Sequence, residues 1–285
     1  MMQLPESFDH PVDLPFNHAA LQRYFVLESP DHDPGGSGYR LLLQGGRLLL
    51  LAGNGSLPED GISVADTSPP LYLGRWDGLP LRVSTLAKEA DLPESLIAVD
   101  LTAQHPMLSI ELLSIGALAR HILHWEKNSR YCSRCGGATT RVLREWGKRC
   151  DACGALHYPH LHPCVIVLVR RPGEVLLTRK AEWAPGRYSL VAGFLDFGEC
   201  LEEGVRREVF EETGVEIDNI RYVGSQAWPF PSQVMCGFVA DYVSGEVRVE
   251  EDELEDARWF SLDDLPKLPP QRSIARFILD RYLAG

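Results

Sequence analysis

Residues 193–215 read GFLDFGECLEEGVRREVFEETGV. Helix-forming residues fill Leu201 to Glu212, and Gly214 stands where a helix C-terminal cap belongs. On such a helix Glu208 reaches Glu211 and Glu212 at i+3 and i+4, so three carboxylates share one face. Like charges at that spacing cost about 0.2–0.5 kcal/mol per pair. A solvated acidic face is the ordinary reading of a charge run, but it leaves Gly193 and Gly214, flanking the run in frame, without a reason. A hard divalent cation accounts for the repulsion: Mg²⁺ or Mn²⁺ takes several oxygen ligands and keeps positions open for substrate phosphates. Cations on this face can hold a diphosphate, neutralise it and acidify water, and a nearby carboxylate can take the proton. Glu199 and Arg207 read as an ion pair that orients the loop against the helix.

The segments around this stretch predict a globular α+β domain from residue 159 to 285. Val165–Val169 is a β-branched and aliphatic run, as a strand buried on both faces requires. Pro172-Gly173 turns it into a second strand, Glu174–Arg179. Arg221–Ser225, Val234–Tyr242 and Ala257–Ser261 read as strands, and Ser273–Leu283 as a closing helix. The absence of a regular strand–helix–strand repeat predicts an α+β or sandwich arrangement. Residues 1–126 predict a separate α+β domain. Tyr39–Leu43 and Arg47–Ala52 flank Gly45-Gly46 as a hairpin, followed by strands at Leu71–Leu73, Pro80–Ser84 and Leu96–Val99. Leu112, Ile115, Leu118, Ala119, Ile122 and Leu123 recur at threes and fours, an amphipathic helix over Leu108–Trp125 that packs on its own sheet. No catalytic motif and no obvious internal repeat stand out there.

Between the two, residues 127–158 are too poor in aliphatic side chains to build a core, so a staple is expected. Cys132-x2-Cys135, fourteen residues and Cys150-x2-Cys153 place four thiolates at the corners of a zinc tetrahedron. Gly136 and Gly154 follow the two knuckles and let amide groups turn toward the sulfurs. A redox dithiol opens a helix beside a strand, and neither pair does. Four sulfurs close the coordination shell, so one structural zinc per chain is expected rather than a catalytic one. Cys164, Cys200 and Cys236 lie among apolar neighbours and read as buried, inert thiols.

Composition narrows the functional classes. Of the 285 residues, 45% are hydrophobic and 24% charged, which excludes general disorder. No apolar run approaches the ~20 residues of a membrane span, and the N-terminus shows no secretory signal. Paired cysteines used as metal ligands point to a reducing, cytoplasmic compartment. A net charge of −12 argues against a general binder of duplex phosphate, but a phosphate substrate is acceptable where metal supplies local positive charge.

The pattern Gly193-x5-Glu199-x7-Arg207-Glu208-Val209-x-Glu211-Glu212-x-Gly214-Val215 resembles the Nudix hydrolase motif at every position. The resemblance implies a Nudix α/β/α sandwich, preceded here by the ribbon and the N-terminal domain, and hydrolysis of a nucleoside diphosphate linked to another moiety. Ten residues on, Ser225-Gln226-Ala227-Trp228-Pro229-Phe230-Pro231-Ser232-Gln233 sets two aromatics on a proline-stiffened backbone, a platform on which Trp228 and Phe230 can wall a pocket for a planar ring. This segment resembles the SQPWPFPxS signature of the NADH pyrophosphatases, also described as NAD-capped RNA hydrolases, which carry a four-cysteine ribbon before the Nudix domain. Ala227 replaces a proline of the signature, and the signature serine falls one place early, at Ser232.

That resemblance implies divalent metals held by the Ala192 carbonyl and by Glu208, Glu211, Glu212 and Glu253, with Glu212 essential for turnover. Glu253 by itself would read as solvated surface. It implies substrate contacts from Glu145, Tyr158, Gln226 through Gln233 (with Ala227, Trp228, Pro229, Phe230, Pro231 and Ser232) and Ala275; Phe194, next to Gly193, is placed to stack on a base. It implies cleavage of NAD(H) to nicotinamide mononucleotide and AMP, removal of NAD from RNA 5′ ends, and a homodimer. The alternatives are a Nudix pyrophosphatase for ADP-ribose or a diadenosine polyphosphate, and an inactive ribbon protein that only binds nucleotide or RNA.

Overall fold

In a computed structural model of the chain, the described residues are 4–62, 64, 69–103, 108–250 and 252–283. The chain divides into two compact units. One holds Phe16–Leu161 and the short segment Pro229–Ser232, the other Pro5–Pro15, His162–Trp228 and Gln233 onward.

The first unit is built on β1 (Phe25–Leu27), β2 (Tyr39–Gln44), β3 (Arg47–Leu51), β4 (Leu71–Trp76), β5 (Leu79–Leu86) and β6 (Leu96–Asp100). They form one sheet in the order β1-β4-β5-β2-β3-β6. β2 runs parallel to β5, while β2–β3, β4–β5 and β3–β6 are antiparallel. The Gly45-Gly46 hairpin forms, both glycines having positive φ, a conformation that costs a glycine little. Helix α1 (Ile110–Asn128) packs on β2, capped by Ser109, whose hydroxyl accepts from the Leu112 amide. Its buried residues are Leu113–Ala117, Ala119 and Trp125, whereas Leu112, Leu118, Ile122 and Leu123 are only half-buried. Gly116 is needed there: a Cβ would stand 2.9 Å from Leu101 Cδ2. The ribbon follows as β7 (Thr139–Arg141), β8 (Lys148–Cys150) and β9 (Leu156–His157), a three-stranded antiparallel sheet.

The second unit contains β10 (His162–Arg171), β11 (Glu174–Arg179), β12 (Val191–Phe194), α2 (Leu201–Thr213), β13 (Glu216–Trp228), β14 (Gln233–Ser244), β15 (Asp256–Ser261) and α3 (Ile274–Tyr282). Its sheet runs β13-β14-β10-β11-β15, with β12 on β10. Side chains alternate across a strand. Val165, Val167 and Val169 of β10 therefore meet Val205 and Val209 of α2, while Ile166 and Leu168 meet Ile274 and Ile278 of α3. Helices on both faces make the expected α/β/α sandwich and explain why β10 is apolar from Cys164 to Val169.

Three sequence expectations need correction. Cys200 is exposed, not buried: it is the N-cap of α2, and its amide donates to Glu203 Oε2 at 2.8 Å. Cys164 and Cys236 are buried as expected. β12, too short for a periodicity signal, exists because it pairs with the already buried β10. The chain also holds a repeat invisible in its residues: the two larger sheets share one connectivity.

Candidate active site

The Gly193 register on β10 brings β12 against α2. A Cβ on Gly193 would fall 1.9 Å from Glu208 Cδ and 2.0 Å from its Oε2. The Glu208 carboxylate thus occupies the space that a side chain at 193 would need, which is the physical reason for glycine there. Gly204 makes the matching close approach one turn earlier, where a Cβ would meet Leu195 Cδ2 at 2.4 Å. Gly214, at φ 68°, caps the helix.

Arg207 organises the acidic groups. Its Nε and Nη2 donate to Glu199 Oε1 and Oε2 at 2.6 and 2.8 Å, a bidentate pair. Nη2 also donates to the Phe194 carbonyl (2.7 Å), and Nη1 to Glu208 Oε1 and Glu211 Oε2, each at 2.9 Å. Glu199 in turn accepts from the Asp196 amide at 2.8 Å. The Arg207 guanidinium and that amide hold the Glu199 carboxyl down at about 2. The expected ion pair is present and reaches further than expected, tying loop, β12 and helix together.

The three helix carboxylates do not share one environment. Glu211 is exposed and paired with Arg207. Glu208 is buried, and that burial raises its pKa against the pull of Arg207. Glu212 is 2% exposed, and neither carboxylate oxygen has a hydrogen-bond partner. Burial pushes its pKa up to about 8; Lys180 opposes the shift, while the charges of Glu208, Glu253 and Glu250 add to it. A buried carboxylate with two bare oxygens is a costly feature. It fits a hard cation, as does the oxygen donor set of Glu208, Glu212 and the Ala192 carbonyl position on β12. A divalent cation bound there supplies charge neutralisation for a diphosphate and a more acidic water.

These groups open on a cavity of about 810 Å³, a size suited to a dinucleotide-scale ligand. Ala192, Phe194, Glu208, Glu212 and Glu253 line it, together with Gln226, Trp228, Gln233 and Ala275. Gln226 is fully buried and saturated: its amide nitrogen donates to the Pro15 and Arg272 carbonyls (2.8 and 2.7 Å), and its oxygen accepts from the Ile274 amide at 2.7 Å. It anchors the start of α3, next to Ala275. Ala227 pairs with Val234 between the strands. Phe230 does not line this cavity. It meets Phe16 edge-on at 5.4 Å and lies under the Arg120 guanidinium at 4.9 Å, within the first unit. Pro229, Pro231 and Ser232 belong to the same segment. Glu145 and Tyr158 are brought together in the first unit, the tyrosine hydroxyl donating to Glu145 Oε2 at 3.0 Å. Lys180, Trp183 and Arg187 also line the cavity. They sit in the crossover between β11 and β12, where no periodicity marks them in the sequence.

In the ribbon, the four cysteine sulfurs lie within 4.8 Å of one another. Cys132 Sγ is 3.7 Å from Cys153 Sγ, and Cys135 Sγ is 3.4 Å from Cys150 Sγ. A tetrahedron with ~2.3 Å arms has edges near 3.8 Å, so the donor set fits a structural zinc ion. Amides of Arg134 and Cys153 donate to Cys132 and Cys150 sulfur at 3.4 and 3.5 Å. Gly136 and Gly154, at φ +74° and +71°, make the turns that aim them. His157 Nε2, which the spacing did not single out, sits 3.2 Å from Cys132 Sγ. Among the described residues the carboxylates of the second unit form no group this tight.

Comparison with known proteins agrees with this architecture. Residues 160–282 match the NUDIX domain family, residues 127–158 the NADH pyrophosphatase zinc ribbon domain, and residues 37–125 the NADH pyrophosphatase-like rudimentary NUDIX domain. The chain belongs to the Nudix hydrolase family, and it is an enzyme of that class. It is similar to the NAD-capped RNA hydrolase NudC of Pseudomonas aeruginosa, 46% identical over 214 residues, or 74% of this chain and 76% of that one. The protein of the same name from Pseudomonas putida is 40% identical over 242 residues, covering 82% of this chain and 86% of its own. A Nudix hydrolase of known structure from Nitrosomonas europaea is 26% identical, with a TM-score of 0.45 over 54% of this chain and 90% of its own. No helix among the described residues is long and apolar enough to cross a membrane.

Proposed function

We propose that this protein hydrolyses the diphosphate bridge of NAD(H) to nicotinamide mononucleotide and AMP, and removes NAD from the 5′ end of RNA to leave a 5′-monophosphate. The observation that carries the reading is Glu212, buried with both oxygens bare beside Glu208, in a cavity that also holds Phe194 and Trp228. In this reading Glu208, Glu212, Glu253 and the Ala192 carbonyl hold Mg²⁺ or Mn²⁺, and Glu211 joins them on release from Arg207. Phe194 and Trp228 offer ring faces to a base or nicotinamide, while Gln226 acts by fixing Ile274 and Ala275. Glu145, Tyr158 and the segment 229–232 are the further substrate contacts in this reading, and the working form is a homodimer. The names of the Pseudomonas relatives support the choice of substrate.

Chromatography of products after incubation with Mg²⁺ or Mn²⁺ tests it. NADH should give nicotinamide mononucleotide and AMP, and NAD-capped RNA should give 5′-monophosphate RNA. Ready cleavage of ADP-ribose with NADH left intact would assign a different dinucleotide. Binding of all three without turnover would leave only a nucleotide-binding module.

A further inference from the structure

The first unit contains a cavity of about 760 Å³ whose charge is opposite to that of the chain as a whole. Lys88, Arg120, Lys127, Arg130 and Arg141 line it, with Glu126 as the acidic member. Glu126 is committed through one oxygen: its Oε2 lies 2.9 Å from both Arg141 Nη2 and Lys148 Nζ, while its Oε1 is buried without a hydrogen-bond partner. Arg141 Nη1 is buried with no hydrogen-bond partner. The side chains of Lys88, Lys127 and Arg130 form no ion pair with a described residue.

Arg120 is half-buried. Its Nη1 reaches only the Gly46 carbonyl, at 3.5 Å, and a Cβ on Gly46 would crowd its Cζ at 3.3 Å. Burial pulls its pKa down, against the charge of Asp100. On α1, Arg120, His124 and Lys127 recur at i, i+4 and i+7, so basic groups stack on one face. The helix C-terminus favours a cation in its last turn, Lys127. It does not account for Lys88, which arrives from another element with no ion pair to a described residue; Arg120, packed on Phe230, and Arg141, paired with Glu126, bring two more cations to the same lining. In a chain of net charge −12, this concentration of cations calls for anions.

We infer that this cavity holds the phosphodiester backbone of a single-stranded RNA. The inference rests on the proposed function, since RNA is the polymer whose cap is hydrolysed. One phosphate could neutralise one or two of these groups. Unneutralised cations on the loop after β5, on α1 and just beyond it match a run of phosphates instead.

Anisotropy of a labelled 5′-monophosphate 20-nucleotide RNA, titrated with protein from 50 to 200 mM salt, tests this. Lys127 and Arg130 are exposed, so Lys127→Gln/Arg130→Gln leaves the core intact; Lys88→Gln is a second, independent variant. The double variant should bind RNA about 10-fold more weakly at 50 mM salt, with the slope of log K against log salt reduced by about 1.4, two contacts at ~0.7 each. Its KM for NAD-capped RNA should rise by a similar factor, with NADH hydrolysis unchanged. RNA binding and salt slope equal to the parent's in both variants would overturn the inference. So would displacement of the RNA by 1 mM inorganic phosphate at constant ionic strength, which marks a small-anion site. A parent that hydrolyses neither NADH nor capped RNA refutes the proposed function instead, and the anisotropy still decides this one.

Discussion

The two six-stranded sheets are the same construction with different contents. β2 and β10 each pair with a following hairpin strand (β3, β11) and run parallel to a later one (β5, β14). β4 and β13 lie antiparallel on those partners, β6 and β15 on the hairpin strands, and a helix (α1, α3) follows each sheet. The difference lies between the hairpin and the strand after it. In the second unit that span holds β12 and α2, with Gly193, Arg207, Glu208 and Glu212. In the first it is residues 52–70, with no helix among the described residues. Among the described residues the sheet and its helix thus recur without the acidic helix, which separates the shared fold from the segment that carries Glu208 and Glu212. Residues 37–125 match the family described as an NADH pyrophosphatase-like rudimentary NUDIX domain.

If that separation holds, removing the chemistry should leave the fold. Glu212→Gln should lower turnover by about a thousandfold, the scale for losing one group that stabilises developing charge. The melting temperature without divalent metal should not fall, because a bare buried carboxylate is replaced by a neutral isostere. Steady-state kinetics and calorimetry check both; a large drop in stability would show that the acidic helix is also structural. Gly193→Ala should displace the Glu208 carboxylate, costing roughly 100-fold in kcat/KM, the scale of an ångström's misplacement. Normal activity in that variant would mean that Glu208 acts from a different position.

Metal divides the two units in a second way: the first is expected to need it for stability. Cys132→Ser should abolish bound zinc by elemental analysis. A loss of about 4 kcal/mol would lower Tm by roughly 10 °C. The smallest effect concerns acid. Glu199 is held at about 2, well below its ordinary 4.5, so its charge stabilises the fold above pH 4.5. That contribution is lost as pH falls from 4.5 toward 2. Tm measured across this window should decline less steeply in Arg207→Gln, where the bidentate partner is gone; parallel curves would show that other carboxylates govern acid unfolding.

Much of this was legible because it is local. A 3.6-residue period puts Glu208 and Glu212 on one side of a helix whatever surrounds it, and two Cys-x2-Cys knuckles chelate by spacing alone. The apolar run of β10 announced a strand covered on both faces. Other features had no local signal. β12 is four residues long and exists through its neighbour. Gln226, a polar residue in a signature segment, is consumed by three backbone groups distant in sequence. Phe230 lies two residues from Trp228 yet packs in the other unit, against Phe16 and Arg120.

From its residues alone this chain specified where charge collects: which glutamates sit together on a helix and which thiols converge. Folding decided how much each charge matters. Identical carboxylates at 208, 211 and 212 became a half-satisfied buried acid, an exposed ion-pair partner and a bare buried acid. The reason is that desolvation depends on what packs over a group from far along the chain, and no short-range pattern encodes that.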